Sequence, residues 1–416
     1  MKTNYILVLL ILLAFFVISF LTNILGALNP SVSLSYNLSE TMAGFLPFSF
    51  FIAYGVMSIP AGFMIEKYGE KRMMLIGFAL ALFASVFFAC IPSFNVFLFS
   101  LFTIGTGMAI LQVVINPLLR ESGGKENYAF TSVMGQLIFG VASFVSPLVY
   151  SWLVTSIGNA ENTSLIINLL SGVTSKGMSW TSIYWIFAFL SLILIVLVFL
   201  IKFPNVSLED DEKVGTKESY LLLFKNRTVQ LFFFGLFAYV GVEQGISYWM
   251  SKFLQTYHGF DYETTGASAV ANFWGLMTIG GVVGLILLKF IDSKLVLKIF
   301  TSLAILSLSF ALFGSAEESL YGFQYCGFLL SVMYPIIFSL GLNSIDKLHG
   351  AFAGILVSGI MGGAVIQLLI GFISDFTSLK VGMLLNFVLL LYIFYIGFSA
   401  KPLINNKTIN LKDKFK

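Results

Sequence analysis

Long apolar runs alternate along this 416-residue chain with short clusters of charged residues, glycine and proline, the punctuation that separates membrane-crossing helices. The runs lie near 5–29, 41–65, 72–91, 95–119, 127–156, 181–203, 228–256, 263–289, 294–313, 317–343, 348–375 and 380–401. A helix needs roughly 20 apolar residues to cross the hydrocarbon core, so each run predicts one span, spans 1 to 12 in chain order. The two longest polar stretches, 157–180 and 204–227, are too short to bury a core of their own. The predicted fold is an all-α membrane protein of twelve transmembrane helices.

The charges fix an orientation for this array. With both termini in the cytoplasm, twenty lysines and arginines fall in cytoplasmic connections and only Lys176, Lys252 and Lys380 fall outside. Basic residues collect on the cytoplasmic side of a membrane, and moving the count by one helix would destroy the bias. After Lys2 the apolar stretch is longer than the core of a signal peptide and has no convincing cleavage site, so it reads as span 1. The expected location is the cell inner (plasma) membrane.

The chain also repeats itself at an offset of 222 residues: Gly62 to Tyr68 falls on Gly284 to Phe290, Ala129-Phe130 on Ala351-Phe352, and Gly140 on Gly362. The shared offset lays the charged loop after span 2 on the loop after span 8. A parallel repeat of this kind implies two six-helix bundles related by an axis normal to the membrane. The expected halves are residues 1–203 and 228–416, joined by a cytoplasmic linker, 204–227.

Composition narrows the function. Residues of hydrophobic type make up 58% and charged residues only 10%, against about a quarter charged in an ordinary soluble domain, so no separate catalytic domain fits and an enzyme is not expected. The net charge of +3 is scattered over loops, which excludes a nucleic-acid-binding patch. Both Cys90 and Cys326 lie in apolar runs, where a small buried thiol is the ordinary role.

An ionisable or amide side chain at membrane depth costs about 2 to 3 kcal/mol or more unless it meets a partner or water, so such residues are the candidate site. Glu243, near the middle of span 7, is the deepest acid, with Tyr239 and Ser247 one turn to either side. Gln112 and Asn116 lie one turn apart on span 4, and Ser132, Gln136, Gly140 and Ser143 form a stripe on span 5. Span 1 carries Thr22, Asn23, Gly26 and Asn29; span 8 carries Asn272 and Trp274; span 10 carries Gln324 and Tyr334. Each amide also has a competing role as glue between helices, and each aromatic as ordinary packing. No lysine or arginine lies mid-span, so a carboxylate or phosphate solute has no buried cation to meet, whereas a neutral, hydroxyl-rich solute suits a surplus of amides and hydroxyls. No metal cluster, nucleophile triad or phosphate loop is visible, and no cofactor is expected.

Residues 62–72, GFMIEKYGEKR, resemble the loop signature of the major facilitator superfamily, with Glu66 where that family usually has aspartate. The resemblance makes Gly62, Glu66, Lys67, Gly69, Lys71 and Arg72 a cytoplasmic gating loop. Together, SIPAGFMIEKYGEKR (58–72), GMAILQVVINPLL (107–119), FAYVGVEQGISYW (237–249) and SVMYPIIFSLGLNS (331–344) resemble the fucose, galactose and glucose symporter branch. That resemblance implies the major facilitator fold and gradient-driven import of a monosaccharide by alternating access. It also implies two departures: where the proton-coupled fucose permeases use an aspartate on helix 1 and a glutamate on helix 4, this chain has Gly26 and Gln112. Gln136 matches a helix 5 glutamine that the branch uses for sugar.

The expectation is a monomeric secondary transporter that imports a neutral monosaccharide or sugar derivative, coupled to H+ or Na+ through Glu243. Its substrate groups would be Gln112, Asn116, Gln136, Asn23, Asn29, Asn272, Trp274, Gln324 and Tyr334. The alternatives are an exporter of a small apolar or amphipathic compound and a transporter-derived sugar sensor.

Overall fold

A computed structural model describes residues 4–123, 128–157, 164–203 and 217–404. Its twelve membrane-length helices are span 1, Tyr5–Tyr36; span 2, Glu40–Tyr68; span 3, Glu70–Cys90; span 4, Phe94–Gly123; span 5, Tyr128–Ile157; and span 6, Ser179–Leu200. The second half follows as span 7, Arg227–His258; span 8, Tyr262–Phe290; span 9, Ser293–Phe313; span 10, Ala316–Leu342; span 11, His349–Phe376; and span 12, Leu379–Ser399. They form two six-helix bundles.

Most ends fall within a few residues of the apolar runs, but span 1 does not stop at Pro30. It breaks at Asn23-Ile24, resumes as Leu25–Tyr36 with Pro30 inside, and ends where Asn37 turns left-handed at φ 51° and returns its N–H to Ser33 and Leu34. Span 10 is interrupted at Ser331-Val332, because Pro335 has no N–H for the carbonyl four residues earlier. Interrupted helices are tolerated at membrane depth where protein or a cavity surrounds them.

Two short helices lie in the stretches read as polar. Leu165–Val173 is itself apolar, with Leu165, Ile166 and Leu169 exposed, the character of a segment lying along a membrane interface. Lys217–Lys225 is a linker helix whose Tyr220 is buried, with its ring 6.4 Å from that of Phe63 on span 2.

Glycine sets the closest crossings. A Cβ at Gly105 on span 4 would collide with the Phe50 carbonyl of span 2, and one at Gly327 on span 10 with the Phe273 carbonyl of span 8. Gly105 and Gly327 are 222 residues apart, so the repeat read from the sequence reappears as the same backbone contact in each half. Small residues are what let helices approach in lipid, where no hydrophobic drive separates protein from solvent. On the periphery, Phe88, Phe97, Trp180 and Tyr184 weld spans 3, 4 and 6, with ring centroids 4.4 Å apart for Phe88–Phe97 and 4.7 Å for Phe88–Tyr184.

Overpacking these crossings tests their equivalence. Gly105→Leu and Gly327→Leu are each expected to lower the melting temperature of the detergent-solubilised protein by several degrees or more, whereas Gly172→Leu, in open space on the short apolar helix, leaves it unchanged.

Candidate functional site

The deepest acid sits where the halves meet. Glu243 is half-buried on span 7; the Tyr239 hydroxyl, one turn earlier on the same face, bonds to its carboxylate, and Gln244 Nε2 donates to Oε1 at 3.3 Å. From span 10, Tyr334 brings its ring to 5.7 Å from Tyr239 and stacks on Phe338 at 5.9 Å. From the other half, buried Tyr54 on span 2 bonds to Thr22 on span 1 and lies beside Tyr334. A carboxyl, three phenols and a threonine from four spans of both halves thus share one centre. Among the described residues no cation pairs with Glu243.

Span 5 shows how one polar stripe is divided by its neighbours. Ser143 joins span 1, where its Oγ lies 2.6 Å from Ser19 Oγ and accepts from Asn23 Nδ2 at 2.8 Å. Gly140 takes the Thr278 side chain of span 8. Gln136 lies between these two seams and is exposed, on the side of span 5 opposite Val141 and Trp152, which are exposed too. That geometry turns Gln136 toward the space between the bundles and Val141 and Trp152 toward lipid. One turn away, the Ser132 hydroxyl is buried with no partner among the described residues.

The nine predicted substrate groups separate on the same grounds. Gln136, half-buried Gln112 and Tyr334 make no side-chain hydrogen bond among the described residues. The Asn116 side chain lies outside the described residues. Trp274 is buried, and its indole N–H has no partner among the described residues; a buried donor left unpaired calls for an acceptor from elsewhere. Asn272 is two residues away and therefore about 200° around the helix. It is exposed on the stripe that carries Ile279 and Ile286, and its Nδ2 reaches Gln324 Oε1 at 3.5 Å. Asn272 and Gln324 therefore join spans 8 and 10 away from the centre. Asn23 is likewise held by spans 1 and 5. Asn29 is fully buried at the far end of the seam, where its Nδ2 donates to the Tyr248 carbonyl at 3.1 Å and its Oδ1 accepts from Ser33. These four amides are placed as fasteners by their partners.

The charged loop after span 2 divides too. Gly69 turns the chain at φ 81° with no residue to spare between spans 2 and 3. Lys71 Nζ donates to the Phe199 and Ile201 carbonyls at 2.9 and 2.8 Å, capping the end of span 6 in its own half, and Lys67 lies over the Tyr68 ring at 5.2 Å. Lys71 therefore fastens its own bundle, while Gly62 is buried, and Glu66 and Arg72 are exposed, along the same edge.

Two residues were under-read from the sequence. Tyr54 is hidden in a phenylalanine-rich run, and its only signal is a hydroxyl at membrane depth. The second is Gly26, whose backbone lies so close to span 7 that a Cβ would collide with the Ser247 carbonyl.

The major facilitator superfamily model matches residues 11–361. A glucose/galactose transporter of Brucella abortus is 28% identical over 390 residues, covering 92% of each chain, and the L-fucose-proton symporter of Escherichia coli is 25% identical over 376 residues, covering 87% of this chain and 85% of its own. Among solved structures, an Escherichia coli fucose:proton symporter superimposes with a TM-score of 0.68 at 21% identity, over 96% of this chain and 100% of that one.

The Gly26 contact yields a direct test. Gly26→Asp cannot occupy the seam with span 7 as it stands, so this variant is expected to lose the arrangement in which Ser247 is sealed off. The measurement is reactivity of a cysteine at position 247 toward a membrane-impermeant maleimide, which should rise severalfold over the Gly26 parent.

Proposed function

The chain belongs to the major facilitator superfamily, and from that premise we propose that it imports a neutral monosaccharide or sugar derivative together with protons, by alternating access. The observation that carries the proposal is the centre around Glu243, an uncompensated acid among hydroxyls contributed by both halves. The similarity to a glucose/galactose transporter and to an L-fucose-proton symporter supports a sugar as the solute and a proton as the coupling ion. On this reading residues 1–203 and 228–416 are the rocking halves, 204–227 links them, and the lysine-rich end faces the cytoplasm of the inner membrane.

Coupling follows from hydrogen-bond supply. A bare carboxylate in a dry site is costly, and Tyr239 and Gln244 supply donors that offset part of that cost while it is charged. A proton on Glu243 removes the charge and releases those donors to a sugar hydroxyl. Sugar and proton then favour one another, as two ligands of a single preferred state must. Sodium would need several oxygen ligands converging on one point, and the proton reading has the support of the fucose relatives. The sugar's remaining hydroxyls are assigned to Gln112, Asn116, Gln136 and Tyr54, with Trp274 and Tyr334 as the aromatic walls.

Two outcomes are expected in vesicles with a panel of labelled monosaccharides. Glu243→Gln abolishes accumulation against a gradient but retains sugar exchange, because a permanently neutral amide resembles the protonated acid. Full gradient-driven accumulation by that variant removes Glu243 from coupling. Gln112→Ala and Gln136→Ala each weaken sugar binding by about 1 to 3 kcal/mol, read as the dissociation constant. Unchanged affinity in both would return the two amides to packing roles.

A further inference from the structure

At the end of the molecule away from the lysine-rich loops, the first residue of span 2 is held from two sides by the opposite half. The backbone N–H of Glu40 donates to Asp375 Oδ1 at 2.7 Å and that of Thr41 to Oδ2 at 2.9 Å, so a carboxylate at the end of span 11 caps the start of span 2. The free N–H groups of a helix start attract negative charge, but that charge ordinarily comes from a residue just before the helix. Here Ser39 supplies only the bond to Met42 N–H, and the two preceding amides depend on Asp375. The Glu40 side chain meets Lys252 of span 7, Nζ to Oε2, at 2.7 Å, with the side chains 26% and 12% exposed. Lys252 also donates to Ser33 Oγ at 3.3 Å. It is one of three basic residues that the charge bias leaves outside, and it is largely buried.

Around these charges the backbones touch. A Cβ at Gly371 would collide with the Glu40 carbonyl, and one at Gly44 would come to 2.9 Å from the Gln367 carbonyl. Tyr248 OH donates to the Ala43 carbonyl at 2.6 Å. If the halves swing apart at this end, span 2 loses its cap and a mostly buried ion pair separates in the same movement.

We propose that Asp375 and the Lys252–Glu40 pair form the latch of the outer gate, and that its strength sets the fraction of molecules open to the outside. Asp375 and Lys252 both hold Glu40, one by its backbone and the other by its side chain, so the contacts break as a unit. This inference rests on the alternating-access reading, but its test needs neither sugar nor proton gradient, so its failure is separable from failure of the transport assignment. The packed glycines bring the ends together, and the charges decide how long they stay together.

The reporter is Ser247→Cys, at a buried position behind the gate, in a background where Cys90→Ser and Cys326→Ala remove the native thiols. Membrane-impermeant maleimide is added to each face of oriented vesicles separately, so that an inverted orientation appears as labelling from the other face. Asp375→Asn is expected to raise the outer-face labelling rate on the order of tenfold, the scale of a lost helix cap, and Asp375→Glu, which keeps the charge, to restore most of the protection. Glu40→Gln and Lys252→Gln should each raise the rate, and the double variant should label no faster than the stronger single one, as for partners in one interaction. A general loss of packing would raise labelling from both faces and would not respond to Asp375→Glu. Labelling at the parent rate in Asp375→Asn, or additive effects of the Glu40 and Lys252 changes, would overturn the latch.

Discussion

A polar group inside the hydrocarbon of a membrane must find a partner in the protein or a pocket of water, and this constraint sorts nearly every functional residue of the chain. Asn23, Asn29, Asn272 and Gln324 satisfy it by joining helices. Glu243 satisfies it only in part, through a tyrosine and a neighbouring amide. Gln112, Gln136 and the Trp274 indole have no such bond among the described residues. On the proposed reading, a residue with its own partner is part of the frame, and a residue without one is where a solute makes a difference.

The frame itself relies on absent side chains. Gly26, Gly105, Gly140, Gly327 and Gly371 each put a helix against a neighbour so closely that a Cβ would collide. Gly105 and Gly327 act within a half, whereas Gly26, Gly140 and Gly371 act between the halves. The same device therefore makes rigid bundles and a seam that can part, since glycine contacts between halves carry shape complementarity without a side chain that must be repacked when they separate. The charges at Asp375, Glu40 and Lys252 add a bond strength that the glycine contacts lack.

The length and number of spans were legible because they depend on runs of apolar residues, and the 222-residue repeat was legible because equivalent crossings need equivalent small residues. The rotation of each span about its axis was not. Asn272 and Trp274 sit two residues apart and look equally suited to a central site, yet the first lies on the exposed stripe with Ile279 and the second is buried. Which face turns inward is decided by the helices on either side, and that information lies in distant parts of the chain. Pro30 misled for a different reason: proline removes one hydrogen bond but does not end a helix whose surroundings hold it. Tyr54 was missed because a hydroxyl on a ring does not interrupt an apolar run, and the helix Leu165–Val173 because a polar average over 157–180 hid nine mostly apolar residues.

On the proposed reading Glu243 is the coupling acid, and its placement follows from the same seam. A coupling acid has to change charge as the carrier cycles, so it needs room for water or solute on one side and donors on the other. Position 26 offers neither, because its backbone is pressed against Ser247 of span 7. One turn back along span 7, Glu243 is half-buried and has Tyr239 and Gln244 as donors, with Tyr334 bridging to Tyr54 of the other half. An acid that formed the seam would be forced to lose its water whenever the outer end closed. An acid just beneath it can keep its partners while the seam forms and parts, and so can report through them whether a solute lies between the halves.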